Sequence, residues 1–171
     1  MLVAGISALV LPLAACGISP NPHDTPAVTS SAIARVGEIT VADVEFLFHP
    51  PIAGDEVYAV GTTAPMSATI VNDGREADRL IRVSSPIATG ALLVGDMTIP
   101  GGQSLTAGQW GFAAIETRFE NGDNVIALTG VKQPLRSGRT YPVTFGFERA
   151  GDVVLDVPVG TPGIPRRGTG R

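Results

Sequence analysis

Apolar and polar residues alternate along most of the chain between residues 38 and 159, a period of two that predicts strands with one wet face and one buried face. Over residues 38–48, Ile39 and Val41 share one parity while Val44, Phe46 and Phe48 share the other. A parity switch inside one strand predicts a bulge. Pro50-Pro51 ends that strand, and residues 57–60 form a short apolar piece. Met66, Ala68 and Ile70 then alternate with Ser67, Thr69 and Val71 up to Asn72-Asp73-Gly74, which predicts a tight hairpin with positive φ. Further strands are expected over residues 79–84, 91–94, 125–129, 140–148 and 153–159, the last two joined as a hairpin at Ala150-Gly151-Asp152. Residues 95–124 read as short strands within a long excursion, broken by Pro100-Gly101-Gly102, Ala107-Gly108 and Asn121-Gly122-Asp123.

No stretch carries a helical apolar period over two turns, and turn signals recur at the spacing of an all-β sandwich. The expected fold is therefore all-β, a Greek-key β-sandwich of the cupredoxin or immunoglobulin kind, over residues 35–159. Residues 16–34 are rich in Pro, Ser, Thr and Asn and predict a flexible tether, and residues 160–171 predict a disordered tail. Arg166, Arg167 and Arg171 in that tail are available to anionic lipid headgroups or an acidic partner, although exposed arginines are commonly just solvated.

Residues 1–15 are apolar, close on Leu13-Ala14-Ala15, and are followed by Cys16, the chain's only cysteine. That arrangement reads as a lipoprotein signal peptide with its lipobox: cleavage before Cys16 would free a thiol to carry a diacylglyceryl anchor. The leader is too short, and too interrupted by Gly5 and Pro12, to span a bilayer, so the protein is expected to be lipid-anchored at the outer face of the cytoplasmic membrane. Signal peptides open with Lys or Arg, whereas nothing before Pro12 is charged, so the true start is expected upstream.

With Cys16 committed to lipid, neither a disulfide nor a thiolate metal site remains. The 171 residues carry a formal net charge of −4 and only 5% aromatic residues, a balance that argues against a nucleic-acid surface.

A resemblance adds to this reading. Asn72-Asp73-Gly74, Asp78-Arg79-Leu80, Ser84-Ser85-Pro86-Ile87-Ala88 and the run from Leu128-Thr129-Gly130-Val131-Lys132-Gln133-Pro134 to Leu135-Arg136-Ser137-Gly138 resemble the PCu(A)C copper-chaperone family. The 141–148 and 153–159 strands match as well, and within that superfamily the chain looks most like the LpqE-type actinobacterial lipoproteins. The resemblance implies a copper(I) site of two His and two Met, soft ligands suited to that ion. Carried over residue by residue, its His-x-Met falls on Val125-Ile126-Ala127 and its first His falls near Leu93-Val94, none of which can ligate a metal. Met97 follows too soon to replace the first Met of the motif. The copper ligand set is thus expected to be lost and the cofactor list empty.

The residues themselves support no stronger chemistry. His49, Met66 and Met97 are the remaining candidates for a replacement metal site, with the alternative that both methionines fill the core. Ser84, Ser85 and Ser104 have no histidine base except His49 and no nucleophile elbow, so no catalytic residue is assigned. Asp43, Glu45, Asp55 and Glu56 read as the wet face of strands and a loop. Asp78, beside Arg79 and Arg82, is expected to fix a strand edge by ion pairing, and Pro134 with Gly138 to shape the connection into the Tyr141 strand. Trp110 and Phe112 are candidate partner anchors, the alternative being that Trp110 caps one end of the sandwich. The expected role is a non-enzymatic accessory module held to membrane lipid through Cys16. Its partner, implied by the resemblance alone, is the respiratory cytochrome bcc-aa3 supercomplex. The alternative is a copper(I) chaperone for oxidase assembly.

Overall fold

The computed structural model describes residues 32–48, 53–108 and 124–160, and among them every regular element is a strand. One sheet is ordered β1 (Ala32–Val36), β2 (Ile39–Phe46), β4 (Ala64–Asn72), β9 (Val125–Val131) and β6 (Ala88–Val94). β8 (Ser104–Ala107) shares the β9 side of β4, pairing its second half while β9 pairs its first. The second sheet is ordered β12 (Gly151–Pro158), β11 (Thr140–Phe147), β5 (Asp78–Ser84) and β7 (Thr98–Ile99). β3 (Glu56–Tyr58) and β10 (Leu135–Arg136) form a small ribbon between the two. The chain passes from β4 to β5, β5 to β6, β6 to β7 and β7 to β8 by crossing between sheets each time, in keeping with the Greek-key sandwich expected.

The alternation seen in the sequence is the alternation of burial. Met66, Ala68 and Ile70 are buried on β4, as are Tyr141, Val143, Phe145 and Phe147 on β11, with Leu155, Val157 and Val159 facing them from β12 and its end. Side chains of both sheets join one core cluster. The parity switch in β2 is a bulge: the pairing with β4 shifts between Ala42 and Glu45, and Asp43 sits there at φ 53°. The extra residue turns Asp43 outward and lets Ile39, Val41, Val44 and Phe46 all point inward, each at most 1% exposed.

Three expectations are corrected. Asn72-Asp73-Gly74 is not a hairpin, and none of its residues has positive φ; it is the corner at which the chain leaves β4 for the other sheet. Asp78 does not pair with Arg79 or Arg82: it is buried and accepts the backbone N–H groups of Arg79 (2.7 Å), Arg149 (3.0 Å) and Ala150 (2.9 Å), pinning the β11–β12 turn. Arg82 instead reaches Asp152 across Gly146, where a Cβ would lie 2.8 Å from the Asp152 carboxylate. Lastly, β1 opens at Ala32, inside the segment expected as tether, because Ala32, Ala34 and Val36 pack on the core with side chains too small to announce a strand.

The sandwich has two distinct ends. Val36 pairs with Ile39 at one, where Gly37 also approaches Ala150, and Asn72 and Asp78 lie there too. At the other, Phe46 bridges Val159 and Thr140 pairs with Pro158. β1 runs away from this second end and β12 runs into it, so the chain comes into the domain and leaves it on the same side.

Tyr58 lies just inside that end, 1% exposed, its phenol donating to the carbonyl of Leu47. Burial pushes the phenol well above its ordinary value. An acid whose folded value is raised contributes stability that is complete below the unfolded value, about 10, and is lost as pH rises beyond it. Urea midpoints are expected to hold from neutral pH to about 10 and then fall, and Tyr58→Phe to flatten that alkaline fall. An unchanged alkaline slope in the variant would show that another group governs it.

Candidate functional site

The positions at which the resemblance would place copper ligands meet in space. Leu93 pairs with Ile126 and Val94 with Val125 across β6 and β9, and Leu92 pairs with Ala127. Every one of these side chains is aliphatic and offers no lone pair, so the residues present do not fit a copper ion. Ile126 and Ala127 are buried, Leu93, Val94 and Val125 are half-buried, and Leu92 is 38% exposed on the edge strand.

Met66 comes close to this place without supplying it. It pairs with Ile126 and with Phe46, so it shares the core-facing side of the sheet with those two residues. Val125 and Ala127 flank Ile126 and therefore point to the opposite side. Met66 is fully buried, and Met97, also buried, leads into β7 of the second sheet, where its carbonyl accepts the N–H of Leu80. Both methionines are core residues. Among the described residues no group of three or more His, Cys, Asp or Glu is placed to hold a metal. His49, Cys16, Trp110 and Phe112, and the tail residues Arg166, Arg167 and Arg171, lie outside the described residues.

The serines and acids weighed for catalysis have structural positions. Ser85 Oγ donates to the carbonyl of Pro142 and accepts the N–H of Ile87, which spends it on the turn before β6. Ser84 and Ser104 are exposed on β5 and β8, and Asp43 and Glu45 are exposed around the bulge. Asp55 pairs with Arg136, and Glu56 begins β3. The Asp96 carboxylate accepts hydrogen bonds from the side chain and from the backbone N–H of Thr98, and these hold its carboxyl below the usual range.

Each end of the sandwich carries a concavity. At the end formed by the β4–β5 corner a cavity of about 250 Å³ is lined by Glu38, Asn72, Glu76, Asp78 and Arg149. Its buried polar groups are satisfied: Asn72 donates to the carbonyls of Glu76 (2.8 Å) and Ile99 (3.0 Å) and accepts the N–H of Gly74 (3.0 Å), and Arg149 pairs with Glu76. This end is a clamp between sheets. At the other end a groove of about 530 Å³ is lined by Gln133, Arg136, Arg139 and Tyr141. The Tyr141 hydroxyl accepts the N–H of Arg136 (3.0 Å) and donates to the carbonyl of Pro134 (3.4 Å), while Gly138 turns the chain at φ 72°. This arrangement, a tyrosine at the start of a strand holding the backbone just upstream, fixes the loop that carries both arginines. Sequence reading did not single out this groove; the close spacing of Lys132, Arg136 and Arg139 between β9 and β11 was the available signal.

Comparison with known proteins agrees with this architecture. The family model described as "Putative lipoprotein LpqE-like" matches residues 39–159. The chain is 28% identical to the protein of that name, LpqE, from Mycobacterium leprae strain TN, over 91% of this chain and 85% of the relative. It is 25% identical to LpqE of Mycobacterium tuberculosis strain H37Rv, over 92% and 86%. Among solved structures it is similar to the apo PCuAC domain from PmoF1, with a TM-score of 0.59 at 24% identity, covering 76% of this chain and 99% of that one. It is also similar to the copper-bound PCuAC domain from PmoF2, with a TM-score of 0.58 at 21% identity, over 76% and 98%. At these identities the likeness to the solved structures is one of fold. The chain belongs to the LpqE-like lipoprotein family and carries that family's domain as a PCuAC-type β-sandwich.

Proposed function

We propose that this is a non-enzymatic lipoprotein, anchored through a diacylglyceryl group on Cys16 at the outer face of the cytoplasmic membrane, whose sandwich serves as an interaction module for a membrane protein complex. The observation that carries this reading is the pairing of Leu93 with Ile126 and Val94 with Val125: a PCuAC-type fold has aliphatic side chains where the resemblance would place copper ligands. A lipid at Cys16 confines the domain to two dimensions and raises its effective concentration beside membrane partners, so a weak contact suffices. The respiratory cytochrome bcc-aa3 assembly is the partner suggested by resemblance to LpqE-type lipoproteins.

A copper(I) carrier is the second reading, favoured by the copper-bound state of the PmoF2 domain that shares this fold. Titration of the chain from Cys16 onward, with Cys16→Ser, against copper(I) in a competing chelator separates the two. No stoichiometric retention is expected. Tight one-to-one binding lost in His49→Ala, or in Met66→Leu with Met97→Leu, would establish a relocated metal site and overturn the first reading. A pull-down through the anchored protein is expected to enrich oxidase subunits; their absence would remove that partner.

A further inference from the structure

We propose that the groove at the chain-entry end of the sandwich, built on Arg136 and Arg139, is a docking surface for anionic lipid headgroups that sets the orientation of the domain on the membrane. The groove is lined by two arginines and no carboxylate. Among the described residues Arg139 forms no ion pair, and Lys132, next to the groove, donates its ammonium to the carbonyl of Pro86 and forms no ion pair. Arg136 is held in place by Asp55 at the surface, with its side chain 47% exposed. Gln133 adds a side-chain amide donor of the kind a phosphate diester accepts, while the N–H groups of residues 136–139 are spent on holding the loop.

Two independent features select a membrane as the occupant. The first is the charge of the two concavities: the cavity at the opposite end is lined by Glu38, Glu76 and Asp78 with Arg149 paired to Glu76, whereas the groove holds Arg139 without an ion pair among the described residues beside Arg136, which pairs with Asp55. A domain with more acids than bases is repelled by an anionic bilayer in most orientations, and less so where a concavity lined by basic residues faces it. The second is chain direction. β1 is approached from the groove end, and Gly160, which accepts a hydrogen bond from Ser137 of the same loop at 3.0 Å, leaves there too. An anchor at Cys16 thus pulls on the side of the molecule that carries the basic groove. The inference rests on the Cys16 anchor only in that the anchor brings the groove to the bilayer.

The test uses the chain from Cys16 onward with Cys16→Ser, so that binding reads the protein and not its lipid, and the groove variants below separate the groove from the tail arginines. It is sedimented with vesicles of phosphatidylcholine alone and of phosphatidylcholine mixed with phosphatidylglycerol. Binding is expected only to the anionic vesicles and is expected to fall as salt is raised. Arg136→Gln and Arg139→Gln are each expected to weaken it about fivefold, the loss typical of one basic residue at an anionic surface. Arg149→Gln removes the same charge from the opposite end and is expected to leave binding unchanged. Equal binding to both vesicle types, or an equal loss in the Arg149 variant, would overturn the proposal. Lipid labelling of the wild-type protein in cells tests the anchor separately: an unlabelled Cys16 with intact vesicle binding would refute the anchor, and a labelled Cys16 without anionic preference would refute the groove.

Discussion

Phe46→Ala is expected to lower the free energy of unfolding by about 3 to 5 kcal/mol, the range for emptying a fully buried aromatic site. Phe46 is 0% exposed and closes β2, and its ring meets Tyr58 from the β3–β10 ribbon and Tyr141 from the second sheet, each at 6.4 Å between centroids. The interplanar angles of 60° and 78° are tilted and edge-to-face, the arrangements that aromatic quadrupoles favour. One side chain therefore joins three pieces of structure, and the cavity left behind has rigid walls. Since a domain of this size is stable by only about 5 to 15 kcal/mol, the loss would take a large share of the total. Phe46→Leu, which refills much of the volume, is expected to cost markedly less. Guanidinium unfolding of the three proteins measures both differences. A loss below about 1 kcal/mol in the alanine variant would mean that the neighbours collapse into the space.

The second large effect is expected at Asn72, where alanine should cost about 2 to 4 kcal/mol. Its side chain is 2% exposed and holds two carbonyls and one N–H. The carbonyl of Glu76 belongs to an exposed residue and can turn to water, but that of Ile99 is buried and would lose its donor. The cost thus falls mainly on a contact between β4 of one sheet and β7 of the other. Asn72→Asp offers a control, because it keeps the acceptor for the Gly74 N–H and removes the donor to Ile99. If the aspartate variant were as stable as wild type, the inter-sheet bond would be irrelevant and the turn alone would matter. Hydrogen exchange should show the protection of Leu80, whose N–H bonds to the carbonyl of Met97 just before β7, falling with Asn72→Ala.

These two residues serve the shell, and the aliphatic pairs at the positions where the resemblance would place copper ligands have a simple physical consequence. The pairs Leu93–Ile126 and Val94–Val125 are groups that need neither metal nor water. Aliphatic residues at these positions leave no polar group unsatisfied within the sheet and are therefore compatible with the fold. What remains distinctive is the exterior: an acid-rich end, a basic groove where the chain comes in, and Leu92 exposed at 38% on the edge strand β6.

Much of the architecture was legible because strand burial has a period of two. The alternation in β4, β11 and β12 appears directly as inward and outward side chains, and the parity switch of β2 is the bulge at Asp43. β1 was harder, since Ala32 and Ala34 bury little area and leave a weak pattern. The β3–β10 ribbon was harder still, because it joins Leu135 to Tyr58 over 77 residues of chain, the difference of their numbers, and neither strand exceeds three residues.

The sequence by itself determined most of the strands and the family, because each depends on residue type and on spacing along the chain. Tertiary structure alone decided what those residues meet. Asn72-Asp73-Gly74 has the composition of a hairpin, yet the partner that settles its conformation, the Ile99 carbonyl, is 27 residues away and in the other sheet. Asp78 stands beside two arginines in sequence, yet three backbone N–H groups, two of them more than 70 residues distant, outcompete an exposed ion pair for a buried carboxylate. The groove of Arg136 and Arg139 gains its meaning in the same way: basic residues are visible in the sequence, but only the pairing of β1 with β2 and of β11 with β12 places them where both chain ends leave the domain. Local pattern sets which face of a strand is dry, and long-range pairing sets which faces and ends come together.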